Sequence, residues 1–356
     1  MIKPYVDSVQ LVFEERFCNF ECRFCFLTKF NLERFILNDP AYLKRLKLFF
    51  VELFQQYRVG HVVIAGGEPT IAPGLLDLLW FIHQQGDQKI PFRIITNGSN
   101  LNREWIDFLL KTHSWVNVSL NAWDPKSHEE ITKVPGMFDR VVNNISTYLQ
   151  QAGPSALCSL SAIIDEPFIR QGGTYKFIDN ILSLWSPYVS FLAFSMTPDN
   201  WWIEKISSLD IELSRTFVQD FVKSLQLLEQ SGHLRSIQNV DRIFPKLSFK
   251  SSKEQSNFKT WAEKYFYKTE LSFSEGEGLS ELPVIPRIKC WAESHLFIAG
   301  DNISHCCDNF EEKDVICQIT DSDWSRKYQE AKHLLIENNR KGILSSGCRA
   351  FCLNKF

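Results

Sequence analysis

Ser8-Val-Gln-Leu-Val-Phe13 runs through Glu14-Glu15-Arg16-Phe17 into Cys18-Asn-Phe-Glu-Cys22-Arg-Phe-Cys25. A short apolar run bounded by charged residues reads as a buried strand, so a loop dense in cysteine leaves its carboxyl end. The pattern recurs along the chain. Residues 40–57 have helical periodicity through Leu43, Leu46, Phe50, Leu53 and Phe54, and the next apolar run, His61-Val-Val-Ile-Ala65, ends in Gly66-Gly67-Glu68-Pro69. Helices over 75–84, 103–111, 141–151, 175–184 and 211–230 then alternate with strands over 92–96, 116–120, 156–164 and 189–195. Strict strand–helix alternation predicts an α/β fold, a parallel sheet with right-handed crossovers. Six units are fewer than the eight of a closed barrel, so the expectation is a partial (β/α)6 TIM-like barrel with an open side. Such sheets carry function at the carboxyl ends of their strands. The cysteine loop, Gly66-Gly67-Glu68-Pro69, Thr96-Asn97-Gly98-Ser99 and Ser119-Leu120-Asn121 all fall there.

Three thiolates within eight residues can converge on one metal centre. They fall one short of the four-cysteine shell of an electron-carrying iron–sulfur cluster, and a cluster with one open iron can bind a substrate directly. Structural zinc is the competing reading, although zinc pairs normally have a second pair nearby.

The spacing C-x3-C-x2-C, with Phe24 before the last cysteine, resembles the radical S-adenosylmethionine (SAM) enzymes. The resemblance implies a SAM-binding [4Fe–4S] cluster on Cys18, Cys22 and Cys25. It also implies that the similar GGEP motif, Gly66, Gly67, Glu68 and Pro69, receives the methionine end of SAM, with Glu68 holding its α-amino group. Asn97, Ser119 and Asn121 stand where the family places polar groups against the ribose and carboxylate. The Phe24 backbone stands where the adenine binds. Residues 1–235 would be the radical SAM core and 236–284 a bridging region.

Six of the ten cysteines lie in the last seventy residues. Cys290, Gly300, Cys306, Cys307, Cys348 and Cys352 resemble the auxiliary cluster modules called SPASM and twitch, so 285–356 is expected to be a small cysteine-rich domain. It lacks the full SPASM block of cysteines, which points to one auxiliary [4Fe–4S] cluster on Cys290, Cys306, Cys348 and Cys352. Cys307 and Cys317 remain as alternative ligands or as a hydrogen donor, and zinc fits the same thiolates. Cys158, inside a strand, reads as a buried apolar thiol. The eight histidines show no metal-ligand spacing.

Formal charge is −3 with both signs interspersed, and no basic stripe or polybasic patch points to nucleic acid or a membrane. The amino terminus lacks a signal-peptide apolar region, so a cytoplasmic protein with metal-bound or free cysteines is expected. The 29 Phe and 10 Trp can line a pocket as well as fill a core. The resemblance to radical SAM enzymes with an auxiliary cluster module implies an oxidoreductase that cleaves SAM to a 5′-deoxyadenosyl radical and cross-links or dehydrogenates a peptide. It would draw electrons from a flavodoxin or ferredoxin and work with a separate leader-peptide recognition protein. The alternatives are a dehydrogenase or epimerase acting on a sugar, aminocyclitol or peptide, or a non-enzymatic iron–sulfur or zinc protein.

Overall fold

The computed structural model describes residues 3–13, 17–25, 36–85, 90–185, 187–188, 192–198, 209–231, 237–238, 247–258, 260, 295–304 and 315–340. The chain divides into two compact units, one of Met1–Ser161 with Cys290–Leu353 and one built on Ala162–Lys289.

The first unit begins with β1 (Tyr5–Phe13), α1 (Pro40–Gln56), β2 (Arg58–Gly66), α2 (Leu75–Gln85), β3 (Phe92–Thr96) and α3 (Arg103–Lys111). It continues with β4 (Trp115–Ser119), α4 (Pro125–Thr132), α5 (Met137–Ala152) and β5 (Cys158–Ile164), the last crossing the division. Strands β1 to β5 pair in sequence order, all parallel. The expected α/β parallel sheet is therefore present. Alternate residues seal one face: Val9, Leu11, Val62, Ile64, Ile94, Val116, Val118 and Leu160 are fully buried, as β-branched and aliphatic strands under covering helices must be. The helices begin where short polar residues satisfy free N–H groups. Asp39 accepts from Ala41 N ahead of Pro40, Asn102 accepts from Glu104 N and Trp105 N, and Asp124 forms a reciprocal capping box with Ser127.

The carboxyl-terminal part joins this sheet. Strand β8 (His295–Ala299) pairs parallel with β1 from Ser8↔His295 to Val12↔Ala299. It turns back through Gly300 and Asp301 into β9 (Asn302–Ser304), which pairs antiparallel with β10 (Cys317–Gln318). Arg45 of α1 grips Asp301 through two bonds of 3.0 and 3.1 Å, and Tyr42 Oη donates to Gly300 O at 3.0 Å. The last helix, α9 (Trp324–Arg340), starts with Trp324 against Phe49, ring centroids 4.8 Å apart, its indole N–H donating to Glu52. Sequence reading had not joined these residues to the sheet. The signal was the apolar run His295-Leu-Phe-Ile-Ala299 before Gly300.

The second unit holds α6 (Glu166–Arg170), α7 (Gly173–Trp185), β6 (Leu192–Pro198), α8 (Ile211–Gln230) and β7 (Ile237–Gln238), the last parallel to β6. Helix α8 is capped by Asp210, which accepts from Leu213 N. No described helix is long and apolar enough to cross a membrane.

Candidate functional site

The cysteine loop is held from three sides. Its stem crosses the end of β2, where Gly66 has a φ of 120° and a Cβ on Gly66 or Gly67 would run into the backbone of Phe13 or Phe17. Glu68 N then donates to Phe17 O at 2.6 Å. The glycines were expected to bring backbone close to a ligand. In the structure they admit the backbone of the cysteine loop.

The second side is the turn after β3. Asn19, between the first two cysteines, accepts from Asn97 Nδ2 at 2.9 Å and donates to Ser99 Oγ at 2.9 Å. Sequence reading missed Asn19, because an asparagine in a loop is ordinary turn chemistry until a tertiary partner is visible.

The third side is α4. Glu21 N donates to Thr132 O at 2.8 Å and Arg23 N to Ile131 O at 3.0 Å, so the loop satisfies carbonyls left over at the helix end. Phe20 is buried edge-on against His128, with centroids 5.4 Å apart, and His128 meets Phe138 at 5.8 Å. Neither ring nitrogen of His128 has a hydrogen-bond partner, and burial lowers its pKa from 6.5 to about 4. Helix α4 and His128 were also missed, since Pro125–Thr132 is short and weakly apolar.

So held, Cys18, Cys22 and Cys25 form no disulfide and are partly exposed. Cys18 Sγ receives Phe20 N at 3.4 Å and Asn97 Nδ2 at 3.7 Å. N–H donors on a thiolate tune the sulfur of a cluster ligand, so this donor set suits soft-metal ligation. Among the described residues no three His, Cys, Asp or Glu side chains gather around a single ion position.

Glu68 is buried, and its carboxylate accepts from Thr70 N, Thr70 Oγ1, Thr96 Oγ1 and Asn97 N at 2.5–2.9 Å. It ties the end of β2 to the end of β3. Burial pushes its pKa up while the four donors oppose that shift. Thr96 was read from the sequence as part of the turn after β3, but neither it nor Thr70 was read as a partner of Glu68, since hydroxyl partners of a buried acid have no spacing signature. Pro69 opens the short 3-10 turn Pro69–Ile71.

The turn bearing Asn97 is steadied by Ser99 N on Asn97 Oδ1 and by Asn144 on the carbonyls of Gly98 and Ser99. Ser119 ends β4 within 3.4 Å of Ser161 Oγ, and Asn121, at a φ of 58°, donates from its backbone to Ser161 O. Phe24 is partly exposed beside Cys25. Cys290, Cys306, Cys307, Cys348 and Cys352 lie outside the described residues. Cys317 is buried in β10, its thiol directed at Trp324 O at 3.7 Å and its pKa pushed up to about 11 by burial and then by Asp321. Cys158 is fully buried, its pKa pushed up to about 12 by burial.

Residues 16–164 match the family model described as Radical SAM superfamily. A SAM-dependent nucleotide dehydratase of Flammeovirga pacifica is 29% identical over 117 residues, 32% of this chain and 38% of the relative. A probable GTP 3′,8-cyclase of Saccharolobus islandicus is 29% identical over 130 residues, 36% of this chain and 40% of the relative. The matches thus span about two-fifths of these curated relatives. Among solved structures, Streptococcus suis SuiB bound to SAM superposes with a TM-score of 0.58 at 16% identity, over 99% of this chain and 70% of that one. The protein anSMEcpe with bound AdoMet and the Kp18Cys peptide superposes with a TM-score of 0.61 at 14% identity, over 97% and 88%. At these identities the likenesses establish the fold.

Proposed function

We propose that this chain, which carries a radical SAM domain over residues 16–164, holds a [4Fe–4S] cluster on Cys18, Cys22 and Cys25 and uses SAM to oxidise a peptide substrate by cross-linking or dehydrogenation. The observation that carries the reading is the cysteine loop pinned at once to the Gly66–Glu68 turn and, through Asn19, to the Asn97–Ser99 turn, three motifs in one place. When bound, the cluster and SAM supply one electron and a 5′-deoxyadenosyl radical that takes hydrogen from an unactivated C–H bond.

The chain's own residues bind and orient. Because four protein donors already occupy Glu68, the carbonyls of the Gly66–Glu68 turn take the ammonium group of SAM, and Glu68 sets their position. Asn97, Ser119 and Asn121 serve its ribose and carboxylate, and the Phe24 backbone its adenine. Cys290, Cys306, Cys348 and Cys352 would hold a second [4Fe–4S] cluster, which would supply an acceptor for the electron left on the substrate, with Cys307 as the candidate hydrogen donor if the outcome is epimerisation. A flavodoxin or ferredoxin supplies the reducing electron, and leader recognition falls to a separate protein. A second reading, a phosphate-bearing small molecule as substrate, is favoured by the nucleotide named in each curated relative.

The test is anaerobic reconstitution followed by 5′-deoxyadenosine formation with dithionite, and iron and sulfide analysis. Wild type should hold two clusters and cleave SAM, and the Cys18→Ala/Cys22→Ala/Cys25→Ala variant should keep one cluster and cleave none. Zinc in wild type, or cleavage that survives in the triple variant, would refute the proposal. A product two hydrogens lighter than substrate supports oxidation, and one of unchanged mass carrying solvent deuterium identifies an epimerase.

A further inference from the structure

Phe92 of β3 packs on Phe108 of α3, ring centroids 5.3 Å apart, so the alternate residues Arg93 and Ile95 belong to the sheet face turned away from that helix. The pairings Arg93↔Trp115, Ile95↔Asn117, Asn117↔Ser159 and Ser119↔Ser161 carry the same face across β4 and β5. Across β2, β1 and β8 that face is mixed, with Ala65, Val12, Phe297 and Ala299 packed together and Ser8, Gln10, His61 and His295 in the same alternate register. Among the described residues three buried polar atoms on this face lack partners, Arg93 Nε, Asn117 Oδ1 and, on β1, Ser8 Oγ, and Asn117 is only 8% exposed. Burial lowers the pKa of Arg93, and no carboxylate among the described residues opposes that shift. The nearby His61 adds charge of the same sign when protonated.

A half-buried guanidinium without a counter-charge is costly, and folded chains retain such groups chiefly where function needs them. The missing partner must present an acceptor to Arg93 and, from a separate group of the same molecule, an N–H or O–H to Asn117. A planar fork of donors suits a carboxylate or phosphate oxygen pair. Arg93 stands three residues before the end of β3, about 10 Å along the strand from Thr96, and is thus set back from the turns assigned to SAM.

We infer that the β3–β4 face bearing Arg93 and Asn117 is the subsite for an anionic group, carboxylate or phosphate, of the substrate. This rests on the radical SAM reading above.

The experiment is thermal unfolding of the reconstituted full-length protein in sodium phosphate and in sodium succinate, each against sodium chloride of equal ionic strength, with and without saturating SAM. A specific anion should raise the wild-type midpoint by about 3–5 °C. The shift should persist with SAM present, weaken in Arg93→Lys and vanish in Arg93→Met. Arg93→Met should itself melt at or above wild type without added anion, because it removes an unpaired charge. A response to phosphate alone identifies a phosphate-bearing substrate, and a response to succinate alone a carboxylate. No response to either anion, a shift that survives in Arg93→Met or is abolished by SAM, or an Arg93→Met protein melting several degrees below wild type would overturn the inference. Wild-type 5′-deoxyadenosine formation is read separately. Its absence removes the radical reading while the anion shift stands, and its presence without the shift removes the subsite alone.

Discussion

Glu68 is the residue on which the two central turns depend. Replacing it by alanine leaves Thr70 N, Asn97 N and two hydroxyls without their acceptor, so Glu68→Ala should cost about 1–3 kcal/mol for each donor left unsatisfied, read in urea unfolding. SAM affinity should fall in the same variant. A Glu68→Ala protein as stable as wild type, with only SAM affinity reduced, would return the carboxylate to direct ligand contact. His128 makes a pH-dependent prediction. Its folded pKa of about 4 lies below its ordinary 6.5, so the neutral ring is favoured. The resulting stability is present above pH 6.5 and is lost as the pH falls toward about 4. The full effect is on the order of 3 kcal/mol. His128→Phe, which keeps the ring between Phe20 and Phe138, should lose less stability than wild type between pH 7 and 5. Parallel curves for the two proteins would contradict this.

At the scale of elements, the consequential one is α4. Its last carbonyls receive the backbone of the cysteine loop, and its first turn depends on the Asp124–Ser127 capping box. Asp124→Ala should cost about 1 kcal/mol. Fraying there also loosens the seat of Glu21 and Arg23, so iron retained after reconstitution should fall. The control is Asp210→Ala, which removes an equivalent cap from α8 at a similar cost of about 1 kcal/mol. Equal iron loss in both variants would mean that general stability, not the seat of the loop, governs cluster retention.

At the scale of the whole molecule, the carboxyl-terminal segment completes the first unit's sheet. Strand β8 pairs along β1, the strand that delivers the cysteine loop, and Trp324 is packed among Phe49, Tyr57 and Glu52. Trp324→Ala should therefore cost ~3–5 kcal/mol in urea unfolding, as for a large core side chain. A loss below about 0.5 kcal/mol, typical of a surface site, would mean that α9 is an appendage.

The strand–helix alternation, the place of the cysteine loop after β1 and the glycine turn after β2 were legible in the chain alone, because they rest on periodicity and on local turn chemistry. Helices over Arg103–Lys111 and Ile211–Gln230 and the strand Phe92–Thr96 have the bounds that their apolar spacing predicted. What holds the site together was not legible. Asn19 with Asn97 and Ser99, Glu68 with Thr96, and Phe20 with His128 are contacts between residues far apart in the chain, and polar side chains carry no period from which to predict their partners. The joining of β8 to β1 is of the same kind. An apolar run declares a strand, but which edge it extends is decided only by the packing of α1 and α9 around it.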